Sequence, residues 1–211
     1  MMAFLKGILA ISAVSLWFGG CAALAPRADP SSYYLLGTLP EADFAADKKG
    51  VANRANFSVG LGPVELPAYL ERQQIATRTS INRLIYSETD RWAAPLAENF
   101  SRVLGQNIAH LLNSAQMIPF PWQTNDAPNY QVKIEVLQFE ANGNQEVWLT
   151  ARWSVIGRNK KIMVGQRSSL NRRAGSLSTE DYVKALSDTV GELSREIVET
   201  LLAFDKQGKS Y

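Results

Sequence analysis

The sequence predicts an α+β fold: a mixed, largely antiparallel β-sheet with two long amphipathic helices packed on one face. Val132, Ile134 and Val136 alternate with polar residues, Asn142-Gly143 supplies a turn, and Val147, Leu149, Ala151, Trp153 and Val155 alternate again. That period of two is expected of antiparallel strands with one buried face. Leu96, Phe100, Val103, Leu104, Ile108 and Leu111 fall on one face at helical spacing, as do Tyr182, Leu186, Val190, Leu193, Ile197, Leu201 and Phe204. Two such stripes beside a set of strands give a layer of helices on a sheet.

Taken in order, residues 33–36 (Tyr-Tyr-Leu-Leu) read as a first strand, and residues 40–56, rich in Ala, Asp and Lys, as a surface loop. Residues 57–61 form a second strand closed by Pro63 and Pro67, and the Pro-Ala-Tyr-Leu that follows makes an exposed turn or short helix. Residues 74–79 and 84–87 are short strands joined through a polar corner at 80–83. The first helix spans 95–113, with Pro95 in its first turn, where no N–H is needed. Residues 117–122, interrupted by Pro119 and Pro121, form an edge strand or none. A strand at 162–170 completes the meander. Ser178 caps the last helix, with Asp181 three residues on.

At 211 residues the chain has room for one core, and five tryptophans with seven tyrosines supply material for it. A net charge of +2 is far from the basic balance of a protein that lives on phosphate backbones, which argues against a nucleic-acid partner. With a single cysteine, Cys21, neither an internal disulfide nor a cysteine-cluster metal site is available.

The position of Cys21 gives it a different role. Residues 7–18 carry no charge, a run of signal-peptide length that is too short to span a bilayer as a helix. Gly19 and Gly20 then lead to Cys21, an arrangement that resembles a bacterial lipobox; the alternatives are an ordinary secretory signal cut nearby, leaving a free thiol, or an N-terminal hydrophobic helix that stays attached. The expected organisation is a lipoprotein signal peptide at 1–20, a lipidated tether at 21–32 and one globular domain at 33–211. Several acyl chains on Cys21 would anchor the protein stably, where one chain gives only marginal binding. Ala22, rather than aspartate, follows the cysteine, which is similar to lipoproteins sorted to the outer membrane. Extended, the tether reaches roughly 35 to 40 Å.

Catalytic patterns are scarce. The lone histidine, His110, has no cysteine or second histidine with which to share a metal or form a dyad. There is no nucleophile elbow, phosphate loop or dinucleotide-binding glycine pattern. Glu65, Glu71, Glu88 and Asp90 are carboxylates whose spacing does not set them apart from ordinary loop acids. The expectation is a non-enzyme with no metal and no cofactor beyond covalent acylation of Cys21. The cluster that does stand out is Arg78, Asn82, Arg83, Arg91 and Trp92. It reads first as a buried tryptophan stacked with arginine before the helix, and second as a recognition edge, since arginine and aromatic anchors are common at interfaces.

The runs Val59-Gly-Leu-Gly-Pro-Val-Glu-Leu-Pro-Ala-Tyr-Leu70, Gln74-Ile-Ala-Thr-Arg78, Asn82-Arg-Leu84, Arg91-Trp-Ala-Ala-Pro-Leu96 and Phe120-Pro-Trp122 resemble the PqiC/YmbA family of ABC-type transport auxiliary lipoproteins. The resemblance covers nearly the whole mature chain. It implies an outer-membrane lipoprotein on the periplasmic face, docking an MCE-type intermembrane lipid transport system and contributing to envelope integrity. The implied partners are a PqiB-like MCE-domain protein and an inner-membrane transport component, and the resemblance admits a homo-oligomeric ring. Tyr69, Arg78, Asn82, Arg91 and Trp92 are the partner-binding candidates. Two alternatives stand beside this: a structural or secretion-associated envelope lipoprotein, and a periplasmic module that itself binds lipid.

Overall fold

The computed structural model of the protein describes residues 29–42, 56–113 and 116–208. The expected signal peptide, Cys21, most of the tether and most of the 40–56 loop lie outside the described residues. Met1–Pro30 and Ser31–Tyr211 are separate units, and every described strand and helix belongs to the second.

Its elements are β1 (Ser32–Tyr34), β2 (Ser58–Glu65), β3 (Gln74–Ser80), β4 (Arg83–Trp92), α1 (Leu96–Leu111), β5 (Gln116–Pro119), β6 (Tyr130–Asn142), β7 (Glu146–Gly157), β8 (Ile162–Arg173) and α2 (Thr179–Gly208), with a 3-10 turn at Ala68–Leu70. The β6, β7 and β8 strands form the predicted antiparallel meander, paired along almost their full lengths. The β6–β7 turn closes because Asn142 Oδ1 accepts from the N–H groups of Asn144 (2.9 Å) and Glu146 (3.0 Å), an arrangement short polar side chains favour.

Strand β6 is the spine. One edge carries β7; the other carries β2 along its first half and β3 at its end, both parallel to it. The β2 ladder shifts register between Leu61 and Val64, where Gly62 takes a φ of +138°, open to glycine but strained for other residues. Beyond these, β4 folds back antiparallel on β3, β1 runs parallel to β4, and β5 runs parallel to β2. The parallel ladders are short, so the sheet is mixed and largely antiparallel with two helices, as the sequence predicts.

Three local expectations change. The second strand, expected to close at Pro63, passes through it to Glu65, because Val64 and Glu65 resume pairing with β6 after the register shift. The strand expected at 84–87 runs ten residues, from Arg83 to Trp92. Its second half is polar, and β1 pairs there through Asp90, Arg91 and Trp92, so hydrophobic alternation could not reveal it. The segment after Pro63, expected to be exposed, is half-buried over most of its length, and Leu70 is buried.

Both helices lay their apolar stripes on the same face of the sheet. Phe100 and Leu104 of α1 and Leu193 and Ile197 of α2 are fully buried with Ile134, Phe139 and Leu149 of the sheet. Phe100 meets Phe139 edge-on, with centroids 5.3 Å apart. Each large side chain removed from water here contributes about 1.5–3 kcal/mol. Ser178 caps α2 as expected, its Oγ accepting from the Asp181 N–H at 3.1 Å.

The segment following β1 runs across the helix layer. Asn99 and Asn107, both buried on α1, accept the N–H groups of Leu36 (2.7 Å) and Leu39 (3.0 Å) through Oδ1. The Gly37 N–H donates to Ser187 Oγ of α2 at 3.0 Å. Leu39 lies against Gly191, where any side chain would collide with it. Three hydrogen bonds and one packed leucine thus pin the start of the domain to both helices.

Candidate partner-docking site

The inward positions of β6 change parity along the strand. Val132, Ile134 and Val136 face the helices, the register shifts between Val136 and Gln138, and Phe139 and Ala141 face the helices beyond it. Glu140 therefore points to the face away from the helices, yet its side chain is only 1% exposed. Four groups bury it. Tyr69 Oη donates to Oε2 at 2.6 Å and Arg78 Nε to Oε1 at 2.6 Å, while Gln138 Nε2 and the Phe139 N–H each donate at 3.1 Å. Every buried oxygen has partners, the condition under which a buried charge is tolerated.

This network ties together elements distant in sequence. Tyr69 comes from the 3-10 turn, Arg78 from β3 and Glu140 from β6. Arg78 Nη1 continues to the Ile81 carbonyl at 3.1 Å, which fixes the β3–β4 turn. Tyr86 of β4 donates to the Tyr69 carbonyl at 3.1 Å, and Arg72 lies over the Tyr86 ring, 5.0 Å from its centroid. Burial, then the hydrogen bond and charge of Glu140, push the Tyr69 phenol above its usual range. For Arg78, burial pulls the guanidinium down, but the bond to Glu140 and its charge outweigh this and raise it. Tyr69 stays protonated and Arg78 charged, so the pair acts as fixed donors.

Over the network opens a recess of about 550 Å³, lined by Tyr69, Arg78, Thr79, Ile81, Leu137 and Trp148 among others. Ile81, at 86% exposure, stands at its rim. The recess is amphipathic: a tryptophan, two aliphatic side chains and the edge of the charged network. With the lone pairs of Glu140 occupied by four donors, the arrangement suits rigid recognition of a partner surface.

The five candidate residues separate in space. Tyr69 and Arg78 meet at the recess, and Asn82 is exposed in the adjoining turn. Arg91 lies at the other end of the β3–β4 hairpin, opposite Gln74, where Nε donates to Ser31 Oγ at 3.3 Å and Nη2 to the Glu88 carbonyl at 3.4 Å. Trp92 is 5% exposed and belongs to the core. The stacked pair expected between Arg91 and Trp92 is absent among the described residues; the arginine–aromatic contact present is that of Arg72 with Tyr86. Successive strand residues point to opposite faces, which keeps the two side chains apart. Asp90 also proves structural, accepting from Ser87 Oγ at 3.1 Å and Thr179 Oγ1 at 2.7 Å. Sequence reasoning missed Glu140 and Trp148. Ile81 left a readable signal, a large apolar residue inside a polar corner.

A second concavity lies between α1 and the β2/β5 edge. It is a groove of about 610 Å³ lined by Leu61, Val64, Gly105, Met117, Ile118 and Phe120 among others. Nearby, Trp122 and Pro128 cover Gly60 while Phe120 covers Gly62, so the 59–70 and 120–122 runs of the sequence pack directly on each other. Among the described residues no group of three His, Cys, Asp or Glu could hold a metal, and no helix is long and apolar enough to cross a membrane.

Comparison with known proteins now adds a family. The model of the ABC-type transport auxiliary lipoprotein component matches residues 36–198. The chain belongs to this family. No curated protein matches the chain. Among solved structures, an uncharacterized protein aligns with a TM-score of 0.67 at 17% identity, covering 81% of this chain and 98% of its own. A Xanthomonas campestris protein of the DUF330 family aligns with a TM-score of 0.67 at 12% identity, covering 85% and 100%. At these identities the likeness shows a shared fold. Membership of the auxiliary lipoprotein family brings with it membrane anchoring in an envelope and a place beside a transporter.

Proposed function

We propose that this auxiliary lipoprotein is a non-catalytic docking component of an MCE-type intermembrane lipid transport system, anchored in the outer membrane through acylated Cys21 and facing the periplasm. The observation that carries the reading is the recess held by Tyr69, Arg78 and Glu140, with exposed Ile81 on its rim and exposed Asn82 in the adjoining turn. A buried, fully bonded charge network fixes the hairpin that presents these residues, and preorganised surfaces bind without an ordering cost. An MCE-domain protein is the partner assigned to this surface, with an inner-membrane transport component completing the system.

The test is a pull-down from envelope membranes with the full chain, Cys21 intact or Cys21→Ser, with mass analysis of the mature N terminus and of the partners. A triacylated Cys21 with an MCE-domain protein attached is expected. An unmodified N terminus removes the anchor, and partners from another pathway alone remove the transport role.

The groove under α1 favours a second reading, in which the domain itself carries lipid. Its apolar lining suits an acyl chain. Phospholipid copurifying with the protein, and lost on filling the groove by Gly105→Leu, would select it.

A further inference from the structure

The charge of this chain is unevenly distributed. Residues 147–179 contain seven Lys and Arg and no Asp or Glu, in a protein whose net charge is only +2. This stretch comprises most of β7, all of β8 and the turn between them. Arg158, Lys160, Lys161 and Arg167 have no ion-pair partner among the described residues.

Strand β8 is also the open end of the sheet. It pairs with β7 from Ile162 to Arg173 and, among the described residues, with no other strand. A row of backbone N–H and C=O groups therefore faces outward along twelve residues. Exposed edges are commonly blunted by proline, by a bulge in mid-strand or by shortness. This strand has no proline, is long, and has its single register shift at the Ile162 end. Among the described residues its protection is positive charge, which repels a second copy of the same strand and attracts an acidic one.

The two faces of β8 set the pattern of an added strand. Val164 and Leu170 are half-buried against the helix-side core. Arg167 and Arg173, at the opposite parity, are exposed on the other face. We propose that β8 is a docking edge for an extended segment of a partner protein in which acidic residues alternate with apolar ones. The segment adds a strand to the sheet, its carboxylates meeting Arg167 and Arg173 and its apolar side chains covering Val164 and Leu170. The Arg173 end of this edge adjoins the recess, since Asn171 pairs with Trp148 and Arg173 Nη2 donates to Gln145 Oε1 at 3.4 Å, but the inference does not rest on the assignment made there.

The probe is a peptide alternating glutamate and valine, long enough to run beside β8, added to the full chain in neutral phosphatidylcholine nanodiscs. Amide exchange at β8 should slow, and the double variant Arg167→Glu/Arg173→Glu should weaken binding on the order of tenfold. A lysine–valine peptide should leave exchange unchanged. Methylating alternate peptide nitrogens on the pairing edge should abolish the protection while keeping the charge. Equal binding by the methylated peptide would overturn strand addition. Protection of β8 by phosphatidylglycerol nanodiscs alone, with none from the peptide, would overturn it in favour of a membrane surface.

Discussion

Glu140 shows how one side chain organises the candidate site, and how its neighbours respond to its loss. Arg78→Ala would leave a carboxylate at 1% exposure without its cation, a change expected to cost about 3 kcal/mol in urea unfolding. Adding Glu140→Gln to that variant should recover part of the loss, because the orphaned charge goes with it. Tyr69 supplies a pH signature. Burial and then Glu140 raise its phenol, so the folded protein keeps a proton that the unfolded chain releases above its ordinary value of 10.0. Its contribution is complete below that value and is lost as pH rises through the higher folded one. Unfolding free energy should therefore fall above about pH 10, and Tyr69→Phe should flatten the decline. None of this was legible in the sequence. The alternation of β6 marks Glu140 as outward, but only the fold shows that Tyr69 and Arg78 close over it.

Elements were more readable where periodicity and capping agreed. The meander, both helices and the Ser178 cap follow from patterns a few residues long. The second half of β4 escaped, because Glu88, Thr89, Asp90 and Arg91 carry no apolar alternation, and the pairing of Asp90, Arg91 and Trp92 with β1 is not visible in sequence. The strap after β1 was equally hidden, since Asn99 and Asn107 read as polar residues on an amphipathic helix. Asn107→Ala should leave the buried Leu39 N–H without an acceptor and destabilise the protein by about 1–3 kcal/mol, seen as a lower urea midpoint. At the β2/β5 edge, Gly60→Ala would place a methyl 2.6 Å from Pro128 Cγ and 2.7 Å from Trp122 Cζ3. These are rigid rings, so a loss of about 1–3 kcal/mol is expected, with a red shift in Trp122 emission if the indole is displaced.

At the scale of the whole molecule, the sequence carried the fold class and the family further than it carried the site. Its motif runs are largely architectural: Gly60 and Gly62 lie beneath Trp122 and Phe120, and Trp92 fills the core. What remains for recognition is what the architecture presents, a rigid recess by the β3–β4 and β6–β7 turns and an open basic strand at the β8 edge. The central claim is that the recess meets an MCE-domain protein while Cys21 holds the domain at the membrane. The most direct measurement places a photo-crosslinking amino acid at Asn82, exposed in the turn beside the recess, in cells that make the full chain. The account predicts an adduct with the MCE-domain protein that disappears with Cys21→Ser. An anchored, folded protein that crosslinks at this position only to proteins outside the transport system, or to none while the MCE-domain protein is present, would contradict it.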